Sequence, residues 1–342
     1  MTDPLAIIPR NTLSAIGLVA NDYAAQNTFT DYQQRTATNT LKRQAADLRL
    51  FARYLSAAGV GVGDLFTSPA GWQGMTWGVV SGFVQWQLQQ GYAVGSVNVR
   101  LATVKRYCEL ASLSGVIGAA DYALIKTVKG YGHSHGAKVD DKRRSADKLT
   151  RIDRAGAKKE TAVTLTIEQA DRLKRKHADT PQARRDALLM CLLLDHGLRC
   201  GEVAGLLVTA FDLRAGVFVF RRPKVDKVQT HRMTTDTLRA AKAYIKTDTP
   251  AAGRLLLGSL KSGALQGGMN ERAINKRVGL LGRMVGAVGL SPHDCRHFWA
   301  TRAARAGTDP FALQDAGGWN SLAMPRRYID SAKVANEGVK LD

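Results

Sequence analysis

Seven residues of this chain have side-chain types and spacings that could do chemistry: Arg199, Glu202, Lys224, His293, Arg296, Trp319 and Tyr328. They fall in four short elements. The first is HGLRCGEVAGL, residues 196–206, with Arg199 three places before Glu202. The second is RRPKVDK, with Lys224 placed 25 residues after Arg199. The third is SPHDCRHFWAT, residues 291–301, with His293 three places before Arg296, and the fourth is GGWNSLAMPRRYI, residues 317–329, with Trp319 nine places before Tyr328. Arginine offers a planar, permanently charged fork that matches anionic oxygens. Histidine exchanges protons near neutrality, and a tyrosine hydroxyl is a nucleophile once a neighbour takes its proton. A histidine three residues from an arginine is by itself an ordinary surface pair. Four elements in series are far more specific.

In type, order and spacing these elements resemble the signature of the tyrosine recombinase (phage integrase) family, closely over about 164–329. Arg199 matches the family's first arginine, Glu202 its acidic residue, Lys224 its hairpin lysine, and His293 and Arg296 its second box. At Trp319 the family usually has histidine, but members similar to Cre carry tryptophan. The resemblance implies that Tyr328 attacks a DNA phosphodiester, leaving a 3′-phosphotyrosine and a free 5′-hydroxyl. Arg199 and Arg296 would then stabilise charge on the nonbridging oxygens. A free tyrosine titrates near ~10, so its proton must go somewhere, and His293 suits that role. Lys224 would protonate the departing oxygen, with Lys227 its competitor in sequence and Lys224 the better fit by spacing. Trp319 can donate one indole N–H to the phosphate, and Glu202 holds Arg199 or a loop in place. The reading uses no metal and no other cofactor. Arg326 and Arg327 flank the nucleophile as candidate DNA contacts. His196 and His297 border the boxes and read as structural hydrogen-bonding groups.

The charge balance agrees with a polyanionic partner. The chain has 342 residues with 49 Lys+Arg against 29 Asp+Glu, a formal net charge of +20. The excess lies in the second part: residues 1–125 hold 9 basic and 7 acidic side chains, residues 126–342 hold 40 and 22. Charge alone leaves DNA, RNA and acidic membranes open. No apolar run approaches the ~20 residues of a membrane span, and the first residues do not read as a secretion signal, so the expected location is the cytoplasm. Cys108, Cys191, Cys200 and Cys295 form no CxxC pair, and Cys191 reads as a core residue. His133 and His135 in GYGHSHG read as a loop rather than a metal site.

Something must position the chemistry, and the length favours two domains. The expected fold is mainly α with a small β-hairpin. Residues 1–130 read as a helical, core-binding DNA-binding domain, 131–162 as a basic linker, and 163–342 as the catalytic domain. In the first, Leu41, Ala45, Leu48, Phe51, Ala52 and Leu55 recur at helical spacing. A second helix spans about 75–90, ended by Gly91, and a third starts near Ser96 as its N-cap. Trp72, Trp77 and Trp86 read as core. Arg100, Lys105 and Arg106 are candidates to reach the major groove, with Lys142, Arg143 and Arg144 in the linker as further DNA contacts. In the second domain, Thr166 caps a helix, an apolar helix runs through ARRDALLMCLLLDHG, and strands 217–220 and 228–233 flank Lys224. Helices are expected near 271–288, 294–306 and 310–316.

The resemblance further implies a C-shaped clamp on duplex DNA, and four protomers on two sites acting through a Holliday junction. A monomer in free solution is expected, with either a short exchanged segment among the 14 residues after Tyr328 or a protomer contact made elsewhere. A type IB topoisomerase, a telomere-resolving enzyme and a non-catalytic DNA-binding protein are the alternatives. The complete residue set argues against the last. Target sequence and accessory proteins are not fixed by these motifs.

Overall fold

The structure, a computed structural model, describes residues 10–146, 148, 163–175 and 177–332. It divides into two compact units, Met1–Lys158 and Lys159–Asp342. Most of the expected 131–162 linker beyond 146, and the chain after 332, lie outside the described residues.

The first unit is helical throughout its described part. Helices α1 (Arg10–Arg35), α2 (Thr38–Ala57), α3 (Trp77–Gln89), α4 (Val94–Leu113) and α5 (Ala119–Thr127) surround an aromatic core. Phe51, Trp72, Phe83 and Tyr107 are fully buried there, with Phe51 and Phe83 edge to face at 4.9 Å. Trp86 is partly buried against this core, but Trp77 is 51% exposed, against expectation, because it sits at the open first turn of α3.

Two further expectations are corrected. The last four residues of GYGHSHG and the start of the basic linker form α6 (His133–Ser145), which packs on α4. Its order rests on polar contacts: the Asp140 carboxylate accepts the Val94 N–H at 2.9 Å, while Arg143 donates to the Tyr92 and Leu88 carbonyls at 2.9 and 2.6 Å. Thus α4 begins at Val94, capped by a side chain from 46 residues away rather than by Ser96.

The second unit is built around α8 (Pro181–Leu194), whose residues Leu188 to Leu194 are all buried. Thr180 caps it and Pro181 presets its first turn. Around it lie α7 (Ile167–Arg175), α9 (Cys200–Gly205), α10 (Thr235–Asp248), α11 (Glu271–Met284), α12 (Pro292–Arg305), α13 (Pro310–Gly317) and α14 (Ala323–Ala332). Thr166 caps α7 reciprocally with Gln169, as its sequence predicts. Strands β1 (Phe211–Asp212), β2 (Val217–Arg222) and β3 (Lys227–Arg232) form an antiparallel sheet in that order. A second hairpin joins β4 (Leu257–Ser259) to β5 (Leu265–Gly268). Along β2 the residues Phe218, Phe220 and Arg222 face inward, so an arginine continues an aromatic face. The fully buried Asp186 carboxylate is held by Arg185 at 2.8 Å and by Arg277 Nε at 2.8 Å. Among the described residues no helix is long and apolar enough to cross a membrane.

Two histidines sit among the phenylalanines of this core. His196 lies edge-on to Phe218 at 5.0 Å with its Nε2 3.1 Å from Thr237 Oγ1, and His231 lies edge-on to Phe220 at 4.9 Å. Burial, reinforced by His231, pushes His196 down to about 3, and burial, reinforced by Arg222, pushes His231 down to about 4. Both stay neutral when folded but charge near 6.5 when unfolded, so the unfolded chain binds more protons between those values. Their contribution to stability is present above pH 6.5 and lost as pH falls toward 4. Urea unfolding of the full chain should therefore lose up to about 1.4 kcal/mol per pH unit per histidine across that window, and His231→Gln should flatten the slope by about half.

Candidate active site

The C-terminal end of α13 organises the site. An α-helix leaves its last carbonyls without partners and its end partly negative. Here three successive carbonyls each receive an arginine: Ala316 from Arg222 at 2.6 Å, Gly317 from Arg296 at 2.5 Å, and Gly318 from Arg199 at 3.1 Å. The two glycines are required by this crowding. A Cβ on Gly317 would fall within 2.1 Å of the Trp319 ring, and one on Gly318 within 2.4 Å of Arg222, at a left-handed φ of 59°.

Glu202 ties the arginines from the other side. Arg199 is the N-cap residue of α9; its backbone N–H donates to Glu202 Oε2 and its Nη1 to Oε1, both at 2.8 Å. Arg222, with no exposed surface, donates Nη1 to Glu202 Oε2 at 2.7 Å and Nε to Gln229, which in turn holds the Asp315 carbonyl at 2.6 Å. Arg296 also donates to the Gly197 carbonyl at 2.5 Å, and its guanidinium lies 4.5 Å from the centre of the Trp319 ring. Burial, then the nearby Arg199 and Arg222, push Arg296 down to about 10, and burial likewise lowers Arg222. Three guanidinium groups with a single carboxylate, bonded to two of them, create a positive site suited to an anion.

Tyr328, on α14, is 5% exposed. Its ring stands 5.8 Å from Trp319, and its hydroxyl is 3.0 Å from His297 Nδ1. His297 Nε2 is in turn 2.9 Å from Nε2 of His293, which is exposed. Burial raises the Tyr328 phenol, opposed by Arg296 and Arg327; burial lowers His297, helped by His293.

The structure thus brings Arg199, Glu202, Arg296, Trp319 and Tyr328 together, with His293 one histidine removed from the phenol. It leaves Lys224 on the exposed turn between β2 and β3, and no described side-chain hydrogen bond or ion pair joins Lys224 to the arginines. Two residues of the site were not expected. Arg222 was signalled by its inward position on β2, and His297 by lying four residues, one helical turn, after His293.

The candidate DNA contacts divide. Arg326, Arg327, Lys142 and Arg144 are exposed, Arg144 pairing with Asp141 at 3.1 Å. Arg143 is spent on the carbonyls of Leu88 in α3 and Tyr92 after it. Arg100 lies over the Tyr92 ring at 4.1 Å and donates to Gln87, Lys105 donates to the carbonyls of Lys126 and Val128, and Arg106 pairs with Glu109 at 2.6 Å. These four all make bonds within their own unit.

Comparison with known proteins agrees with this geometry. The model of the phage integrase family matches residues 163–334. The chain is 27% identical over 294 residues to the tyrosine recombinase XerC of Chromohalobacter salexigens, covering 84% of each. It is 24% identical over 303 residues to the tyrosine recombinase XerD of Shewanella oneidensis, covering 86% of this chain and 87% of the relative. Among solved structures, the Tn1549 transposon integrase in complex with a circular intermediate DNA shares the fold at a TM-score of 0.61 and 17% identity, over 89% of this chain and 94% of that one. A lambda integrase dimer bound to a COC′ core site does so at 0.57 and 12%, over 93% and 95%. A family match over half the chain, on the unit that assembles the arginines and Tyr328, makes this chain a member of the phage integrase family.

Proposed function

We propose that this chain is a site-specific DNA recombinase that breaks and rejoins duplex DNA through a 3′-phosphotyrosine on Tyr328. The observation that carries the reading is the Tyr328 phenol set in one site with Arg199, held by Glu202 and the Gly318 carbonyl, and Arg296, held by the Gly197 and Gly317 carbonyls. A guanidinium has five N–H donors, and Arg199 and Arg296 each spend two on the bonds described, so both retain donors for nonbridging phosphate oxygens. Trp319 packs against both Arg296 and Tyr328 and offers its indole N–H. Lys224, on its exposed turn, reaches the departing 5′-oxygen only when DNA draws the hairpin inward.

In this reading the two units clamp duplex DNA, and four protomers join two sites and exchange strands through a Holliday junction. Free protomers are monomeric and act in the cytoplasm. Lys142, Arg144, Arg326 and Arg327 contact phosphates, so affinity falls steeply with salt. The test uses a nicked suicide substrate made from the gene's flanking DNA. A covalent protein–DNA species on a denaturing gel, digested to a nucleotide-bearing peptide that contains Tyr328, is the expected result. DNA on any other residue would overturn the assignment.

A further inference from the structure

We propose that His297, rather than His293, is the base that takes the Tyr328 proton, and that it passes the resulting charge to His293 at the surface. The inference rests on the recombinase reading and adds a catalytic residue to it. His297 is the histidine in contact with the nucleophile, its Nδ1 3.0 Å from the phenol oxygen. His293 meets the second nitrogen of His297, Nε2 to Nε2 at 2.9 Å, with the rings edge to face at 4.4 Å.

Of the two tautomer sets these contacts allow, proton acceptance by His297 uses the following one. The Tyr328 O–H donates to His297 Nδ1, so the His297 proton is on Nε2. That N–H donates to His293 Nε2, which leaves the His293 proton on Nδ1. Each contact then has one donor and one acceptor.

The proton count follows. As the Tyr328 oxygen bonds to phosphorus, its proton moves to His297 Nδ1. The His297 Nε2 proton moves to His293 Nε2, making His293 the cation. The bond from phosphorus to the 5′-oxygen breaks, and that oxygen takes a proton from Lys224 or water. Resealing runs every step backward. The burial gradient favours this direction: Tyr328 is buried, His297 half-buried and His293 exposed, so the positive charge ends where water solvates it. The groups facing His297 are His293, Asp294 and Arg296 from α12 and Arg327 and Tyr328 from α14. Burial, with His293, Arg327 and Arg296 nearby, keeps His297 neutral and able to accept, and Asp294 steadies it once charged.

The test compares His297→Asn and His297→Ala with wild type for the rate of covalent-complex formation. Two nicked substrates are used, one ordinary and one with a 5′-bridging sulfur whose departure needs no proton. Asparagine places an amide oxygen near the Nδ1 position, so it can accept the hydrogen bond but not the proton. The expected result is a rate lower by about a hundredfold or more for both variants on both substrates, with melting temperature unchanged for His297→Asn. Wild type should level off above the His297 pKa, whereas His297→Asn should keep rising with pH as the phenolate forms unaided. A wild-type rate and pH profile for His297→Asn would overturn the proposal, as would a defect that the sulfur substrate removes. Wild-type trapping reports separately on the recombinase reading, since without it that reading, not the relay, has failed.

Discussion

Tyr328→Phe should abolish the covalent protein–DNA species while leaving affinity for the same DNA and the fold close to wild type. The substitution removes one oxygen and keeps the ring. That ring is what packs: it is 5% exposed, 5.8 Å from Trp319 and 5.4 Å from His297. The loss on the protein side is the bond to His297 Nδ1, about 1 kcal/mol in stability. The loss on the chemical side is total, because phenylalanine has no atom to bond to phosphorus. Neither arginine is disturbed, since Arg199 is held by Glu202 and the Gly318 carbonyl and Arg296 by the Gly197 and Gly317 carbonyls, so the phosphate should still bind. A gel shift at fixed salt beside a denaturing gel reads both quantities. A surviving covalent band would mean that another residue is the nucleophile. A lost gel shift would mean that the phenol hydroxyl contributes to binding, and the division of labour drawn above would be wrong.

What could be read in the sequence follows from how local each signal is. Arg199 and Glu202 lie three residues apart across a helix N-terminus, so the capping contact between them is written in adjacent residues. Thr180 before Pro181 and Ser291 before Pro292 mark helix starts in the same way. The GGW run marks a place where side chains would collide, but what they would collide with, Arg222 and Trp319, appears only when β2 and α13 meet. Helix α6 was missed for a related reason. Its basic, apolar-poor composition reads as linker, yet its order comes from Asp140 and Arg143 satisfying backbone groups of α3 and α4, which no composition records. For α10, the Thr234 cap was present but passed over. Lys105 and Arg106 show the converse: a cation in sequence is equally a groove contact or a brace for its own carbonyls, and only packing decides.

Glu202→Ala should be the most disruptive single change that leaves every reacting group in place. The carboxylate accepts from the Arg199 backbone, the Arg199 guanidinium and Arg222, all between 2.7 and 2.8 Å. Removing it frees Arg199 to swing and leaves Arg222, with no exposed surface, as a buried charge without its counter-ion. Breaking a buried pair in this way costs about 3–5 kcal/mol. The rate of covalent-complex formation should fall by a hundredfold or more, because phosphate charge is then met by a misplaced guanidinium. The two effects separate in the double variant. Adding Arg222→Met removes the stranded charge, so Glu202→Ala/Arg222→Met should be more stable toward urea than Glu202→Ala alone while remaining slow, since Arg199 then keeps only its bond to the Gly318 carbonyl. Strictly additive stability losses would show that Glu202 and Arg222 act independently. Recovery of rate together with stability would show that Arg222, not Arg199, is the group whose position limits the chemistry. The buried pair therefore ties the core of the unit to its reaction: the same carboxylate neutralises an arginine inside the sheet and aims one at the phosphate.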